Sequence, residues 1–335
     1  EPSEGARLHS GQTVTAKVDL GLDPGIVKLR YYWYPEASEV LVEQGEEHGL
    51  VGGSAATGAG DQFGFQDNLS GGSIIALPSL VSTAQEDPPF GGPLEVPNAA
   101  IGTMRLLAVG EVSRGRLAGR TAFDEILLVV EPKAELESIE FETEKPWRFG
   151  RGAQAASYEQ VDFLGKIVEV PVVGLFADGI ARSIRTASTG TTYASSNEQV
   201  IKVYPDGLIQ LTGNGQATLR VRNRGKEASL DVDVRVKDDP NQPPVAVAGE
   251  DRTVQSRTKV ELNGLGSFDP EGTALAYSWS QVRGAKVSLL DVNMPRASYL
   301  APELSDKRLF RFKLRVTDKR GADSLPDFVD VWVEP

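Results

Sequence analysis

Short runs in which apolar and polar side chains alternate strictly, cut by turn residues, set the narrowest limit on the fold. In Phe310-Arg-Phe-Lys-Leu-Arg-Val316 every second residue is large and apolar, and Phe328-Val-Asp-Val-Trp-Val333 repeats the rule with Val329, Val331 and Val333. A period of two is a strand with one buried face. Thr258-Lys-Val-Glu-Leu262, Ala276-Tyr-Ser-Trp-Ser280 and Lys286-Val-Ser-Leu-Leu290 also read as strands, and Asp269-Pro-Glu-Gly272 and Asp318-Lys-Arg-Gly321 as turns. Strands at this spacing predict a β-sandwich.

Composition bounds the rest. The 335 residues suffice for two or three domains, and 40% hydrophobic residues against 24% charged ones provide real cores. A net charge of −12 opposes nucleic acid and anionic membrane surfaces as partners. No apolar run reaches the ~20 residues that span a bilayer, so membrane insertion of this segment is not expected. Glu1-Pro2-Ser3-Glu4 has no signal-peptide character, which reads as a mature or excised segment. The absence of cysteine excludes disulfides, thiolate metal sites and cysteine nucleophiles.

Two punctuation points divide the chain. Asp238-Asp-Pro-Asn-Gln-Pro-Pro244 is a stiff, proline-rich linker, and Glu131-Pro-Lys133 is a shorter one. The expected domains are 1–131, 134–237 and 240–335. The last carries Asn241-Gln-Pro-Pro-Val-Ala-Val-Ala-Gly249, Leu262-Asn-Gly-Leu-Gly-Ser-Phe-Asp-Pro-Glu-Gly272, Tyr277-Ser-Trp279 and Leu314-Arg-Val-Thr-Asp318 in order. It resembles a polycystic-kidney-disease (PKD) domain. The resemblance implies that Trp279 is the buried tryptophan of a central strand.

The middle domain carries Thr192-Tyr-Ala-Ser-Ser-Asn-Glu-Gln-Val-Ile-Lys-Val203, Pro205-Asp-Gly-Leu-Ile209, Gly213-Asn-Gly-Gln-Ala-Thr-Leu-Arg-Val221 and Ala228-Ser-Leu-Asp-Val-Asp-Val-Arg-Val236. It is similar to the group 2 bacterial immunoglobulin-like domains of intimin- and invasin-like adhesins. Tyr193 stands where that family usually has tryptophan, and Glu144–Gln160 fits its pattern poorly. In the first domain, Gly11–Leu20 and Ile26–Tyr34 alternate, and Gly102–Gly110 and Glu125–Val130 are strand-like. Its second half loosely resembles the end of bacterial immunoglobulin-like modules. A glycine-rich insertion, 45–72, interrupts it and reads as a long exposed loop.

The fold expected is therefore all-β: three tandem immunoglobulin-like antiparallel sandwiches, different modules rather than copies of one repeat. With short linkers and ~35–40 Å per sandwich, the expected arrangement is an elongated rod above ~100 Å.

Two candidate sites follow. Asn241, Ser267, Asp269 and Asp318 resemble the calcium ligands of PKD domains in secreted bacterial collagenases. Calcium takes six to eight hard oxygens, and the bland alternative is a turn whose aspartate caps backbone amides. Glu271 departs from the family's usual aspartate. Alternation also puts Tyr32 and Tyr34 on the face opposite Tyr31 and Trp33, where they would contact a sugar or protein unless covered. Catalysis has little support. His9 and His48 read as loop histidines without sequence-readable partners. Gly-x-Ser-x-Gly, His-Glu-x-x-His and cysteine–histidine spacings are absent, and Gly53–Gly60 lacks the lysine of a phosphate loop. Asn68-Leu-Ser70 matches a glycosylation sequon, irrelevant in a bacterial protein. The expected role is a non-catalytic stalk or interaction module of an exported bacterial surface protein, a monomer contacting protein or carbohydrate. The alternative is an accessory region of a secreted polysaccharide- or protein-degrading enzyme, and a weaker third is assembly into a layer or fibre through sandwich edges.

Overall fold

The computed structural model describes residues 2–17, 25–36, 40–42, 50–52, 90–112, 121–150, 159–161, 163–236, 241–304 and 306–335. They form an all-β chain with three clusters of buried apolar residues.

The first and third modules share one strand order. In the first, Arg7–His9, Thr121–Glu131, Gly102–Val112 and Ile26–Pro35 lie side by side in that order, and Thr13–Ala16 pairs separately with Gly92–Glu95. In the third, Arg252–Gln255, Asp327–Glu334, Arg308–Thr317 and Ala276–Arg283 repeat the order, and Lys259–Asn263 pairs with Arg296–Leu300. Trp33 and Trp279 occupy matching places on the outermost strand, opposite Leu106 and Leu314, and are 2% and 3% exposed. The two modules thus share a strand order that the sequence reading did not anticipate. The likeness was hidden because the first module carries a long insertion between the third and fourth shared strands. Within it only Val40–Val42 paired with Leu50–Gly52 is described, so most of the expected 45–72 loop lies outside the described residues.

The middle module differs. A five-stranded sheet runs Glu159–Gln160, Trp147–Gly150, Lys226–Arg235, Gly215–Asn223, Thr192–Ser195. Two three-stranded sheets complete it, one centred on Leu208–Leu211 and one on Val172–Phe176. Asp206 and Gly207 both have positive φ, as an Asp-Gly turn requires between Ile201–Tyr204 and Leu208–Leu211.

Two expectations need correction. The sandwiches are not purely antiparallel: in each module an early strand pairs parallel with the last, namely Arg7–His9 with Val129–Glu131, Trp147–Gly150 with Val232–Arg235, and Arg252–Gln255 with Val331–Glu334. Strands of three or four residues are too short to set up a readable period, which is why Glu144–Gln160 fitted no pattern although Trp147 and Phe149 are buried. Lys286–Leu290 is not a strand either; Leu290 alone bridges to Ser298.

The modules are also not strung end to end, because all three pairs touch. Ile101 of the first module is buried in the middle module's core cluster, and Arg182 of the middle module donates from Nε and Nη2 to the Asn98 carbonyl at 3.0 and 2.7 Å. A Cβ added to Gly165 would lie 3.2 Å from the Asn241 carbonyl, and one added to Gly321 would lie 3.4 Å from the Phe163 ring, so modules two and three abut. Glu125 of the first module pairs with Arg283 of the third, and Asp124 with Arg308 at 2.9 Å. Short linkers permitted either arrangement; complementary outer faces select the folded-back one.

Candidate functional site

The expected calcium residues lie along the segment by which the third module joins the second. Asn241–Val247 runs beside Ser267–Glu271: Val245 and Phe268 exchange backbone hydrogen bonds, the Val247 amide donates to Ser267 Oγ at 3.0 Å, and the Gln242 amide donates to Glu271 Oε1 at 3.2 Å. Asp318 is buried at the head of a tight turn. Its Oδ1 accepts from the amides of Arg320 and Ala322, each at 2.8 Å, and its Oδ2 accepts from Asn241 Nδ2. Asp269 Oδ2 accepts from the Thr273 amide at 2.7 Å.

The structure therefore joins Asn241 to Asp318 and gives Ser267 and Asp269 separate backbone partners. In this geometry all four hold loops together, with the aspartates acting as amide caps. Among the described residues, no three His, Cys, Asp or Glu side chains converge to hold a metal. Asp269 Oδ1 nonetheless remains buried without a hydrogen-bond partner. A hard cation there would draw most of its oxygens from hydroxyl and main-chain groups.

The second expected site is corrected. Tyr32 and Tyr34 do share the face opposite Trp33, and their rings stack at 6.3 Å with planes 16° apart. That face is covered, however: Tyr34 is 1% exposed and Tyr32 is half-buried. Burial is the main reason that the Tyr34 hydroxyl is held well above the ordinary tyrosine range, with the neighbouring Tyr32 adding to the shift and Arg105 opposing it. Leu107, on the same face, is 2% exposed and belongs to no core cluster. Glu125, aligned with Leu107 and Tyr32 on this face, makes the ion pair to Arg283 of the third module.

Glu125 is central there. It bridges Arg105, whose Nε lies 3.5 Å away within its own sheet, and Arg283 across the junction. Arg105 is 4% exposed, donates to the Glu36 carbonyl at 3.2 Å, and has its pKa lowered by burial, with Glu125 opposing that shift.

Sequence reasoning missed both Glu125 and Arg182. Arg182 is 2% exposed and lies over the Phe176 ring, 4.7 Å from its centroid. Asp178 accepts from its Nη1 and Nη2 at 2.9 and 2.6 Å. A single arginine in a short strand carries no readable signal of such a role. The described histidine, His9, ends a strand rather than sitting in a loop, and is exposed beside the Glu131 carbonyl at 3.2 Å. His48, Gly53–Gly60 and Asn68–Ser70 lie outside the described residues.

Fold and contacts together define a chain of β-sandwich modules that touch one another. Residues 248–333 match the family described as "K319L-like, PKD domain", which accounts for the third module. No curated protein matches the chain. Among solved structures, the PKD domain from KIAA 1837 protein is 24% identical, with 29% of this chain and 91% of that one covered and a TM-score of 0.24. A nucleoside hydrolase-related hypothetical protein from Saccharophagus degradans, described as associated with carbohydrate metabolism, is 22% identical over 28% of this chain, with a TM-score of 0.25. The chain spans only 26% of that protein's length. Mouse cadherin-23 EC22-24 is 12% identical, covering 99% of this chain and 95% of that one, with a TM-score of 0.23. At these identities the likeness concerns fold alone.

Proposed function

We propose that the chain is a non-catalytic interaction platform of an exported bacterial protein, working outside the cell against protein or carbohydrate. Its three sandwiches act as one body rather than as a flexible spacer. The observation that carries this reading is the set of buried inter-module contacts at Arg182, Ile101 and Glu125, which a free-swinging stalk would not need. The PKD match of residues 248–333 supports an extracellular setting.

Because the chain has no cysteine, a labelling test is clean. Dyes on Thr13→Cys and Lys259→Cys should report one narrow distance by single-molecule energy transfer. A broad distribution would sink the platform reading. The accessory-region alternative is decided by the full-length gene product, where a flanking hydrolase domain would favour it. Calcium stands as a separate proposal for the junction of modules two and three, motivated by the unpartnered Asp269 Oδ1. A melting midpoint that rises with calcium and falls with chelator would support it, and an unchanged midpoint would dismiss it.

A further inference from the structure

The last hairpin of the middle module carries Arg220, Arg222, Arg224 and Lys226 against one carboxylate, Glu227, in a chain whose net charge is −12. Strand pairing sets these side chains out. Thr192, Arg222 and Glu227 lie opposite one another across Thr192–Ser195, Gly215–Asn223 and Lys226–Arg235, so they share one outer face. Asn223 and Lys226 close a two-residue turn, and Arg224 and Gly225 within it have φ of 43° and 77°, as so tight a turn requires. Beside the turn is an open cleft of about 340 Å³, lined by Gly190, Thr192, Arg222 and residues 223–227. That volume suits a small ligand rather than a protein surface.

Some of the lining groups are already committed. Asn223 is 2% exposed, and its Nδ2 donates to the Thr189 carbonyl at 3.0 Å and to Thr191 Oγ1 at 2.7 Å, which anchors the turn. Arg224 donates to the Thr189 carbonyl, to Asn223 Oδ1 and to Glu131. Arg222, by contrast, uses only its Nε, on Glu227 at 2.5 Å. Its two terminal nitrogens, the Lys226 ammonium and the Thr192 hydroxyl have no hydrogen-bond partner among the described residues, and all three side chains are exposed to a ligand in the cleft. Glu227 meets Arg220 through Oε1 and Arg222 through Oε2. A carboxylate has about four acceptor positions, so Glu227 can still accept from a hydroxyl. Repulsion from the acidic surface elsewhere is screened beyond ~8 Å at physiological salt, so the local excess of cations decides which charge the cleft attracts.

We infer that this cleft binds an acidic sugar. Arg222 and Lys226 take its carboxylate or sulfate, and Glu227 and Thr192 take its hydroxyls. The inference rests on the carbohydrate side of the platform reading and narrows it to one class and one site. The two fail separately, because every residue that would touch the sugar lies in the middle module, whereas the platform reading concerns how modules dock.

The full chain, isotope-labelled, is titrated with glucuronate, sulfated glucose, glucose, acetate and inorganic sulfate at matched ionic strength, following the amide resonances of Thr192 and residues 222–227. Glucuronate or sulfated glucose should move those resonances with a Kd of ~1 mM, at least about fivefold tighter than glucose, acetate or sulfate. Preference for glucuronate assigns a uronic sugar, preference for the sulfated sugar a sulfated one, and comparable affinities a cleft that takes both; each supports the site. Arg222→Gln and Lys226→Gln, at exposed positions, should each weaken binding about three- to tenfold, and Lys259→Gln on the third module should leave it unchanged. Neither acidic sugar binding, acetate or sulfate binding as tightly as the sugars, or affinity unchanged in both Arg222→Gln and Lys226→Gln would overturn the inference.

Discussion

Replacing Arg182 by methionine should uncouple the first two modules while retaining most of the side chain's bulk. The Asn98 carbonyl would lose donors at 3.0 and 2.7 Å. Both fall on one acceptor, so together they count as one strong charged bond of about 2 kcal/mol. The Asp178 pair adds less, about 0–1 kcal/mol, because that carboxylate is 35% exposed and water screens it. The guanidinium over Phe176, 4.7 Å from the centroid, contributes about 1 kcal/mol. The loss is therefore about 3 kcal/mol, which for two modules melting as one unit lowers the midpoint by roughly 6–12 °C. Scanning calorimetry on the full chain should show the first two modules melting together in the wild type and separately, at lower temperature, in Arg182→Met. Arg182→Lys keeps the charge but cannot fork onto Asn98, and should fall between them. A shift in Arg182→Met below ~2 °C would refute the assignment of Arg182 as the clamp.

Three further outcomes follow. The Asp178 carboxyl is held below its ordinary 3.8, chiefly by the hydrogen bond from Arg182, with burial opposing. A depressed folded pKa stabilises above the unfolded value and is lost as pH falls through the folded one, so the benefit should fade below about pH 4. In Arg182→Met, carboxyl NMR should show Asp178 titrating in the ordinary range; an unchanged pKa would discount the pair. Glu125→Gln removes the charge between Arg105 and Arg283, leaves two like charges facing each other, and should loosen the first–third module contact, read as a larger radius of gyration at low salt that shrinks as added salt screens the repulsion. An identical radius at all salt concentrations would count against that bridge. Trp279→Ala should cost about 3–5 kcal/mol in the third module's transition alone, with the others unmoved by calorimetry; equal losses in all transitions would argue for one shared core.

The alternating runs were legible because burial of one sheet face writes itself into every second residue, as in Phe310–Val316 and Val329–Val333. The strands Arg252–Gln255 and Trp147–Gly150 were not legible: they are short and pair in parallel with the last strand of their module, far along the chain. The kinship of modules one and three was spelled in Tyr31-Tyr-Trp33 and Tyr277-Ser-Trp279, yet the insertion displaced the strands that would have shown it. Tyr34 misled because alternation tells which face a residue occupies and nothing about what covers that face. The docking of modules was least legible of all. It rests on outer-face charges such as Glu125 and Arg283, whose pairing depends on how whole sandwiches meet.

Small-angle X-ray scattering on the full chain in dilute solution tests the central claim, that the three sandwiches pack against one another. Mutual docking predicts a radius of gyration near the ~20 Å of a compact chain of this length. A value of roughly 30 Å or more, the signature of sandwiches strung end to end over ~100 Å, would contradict it.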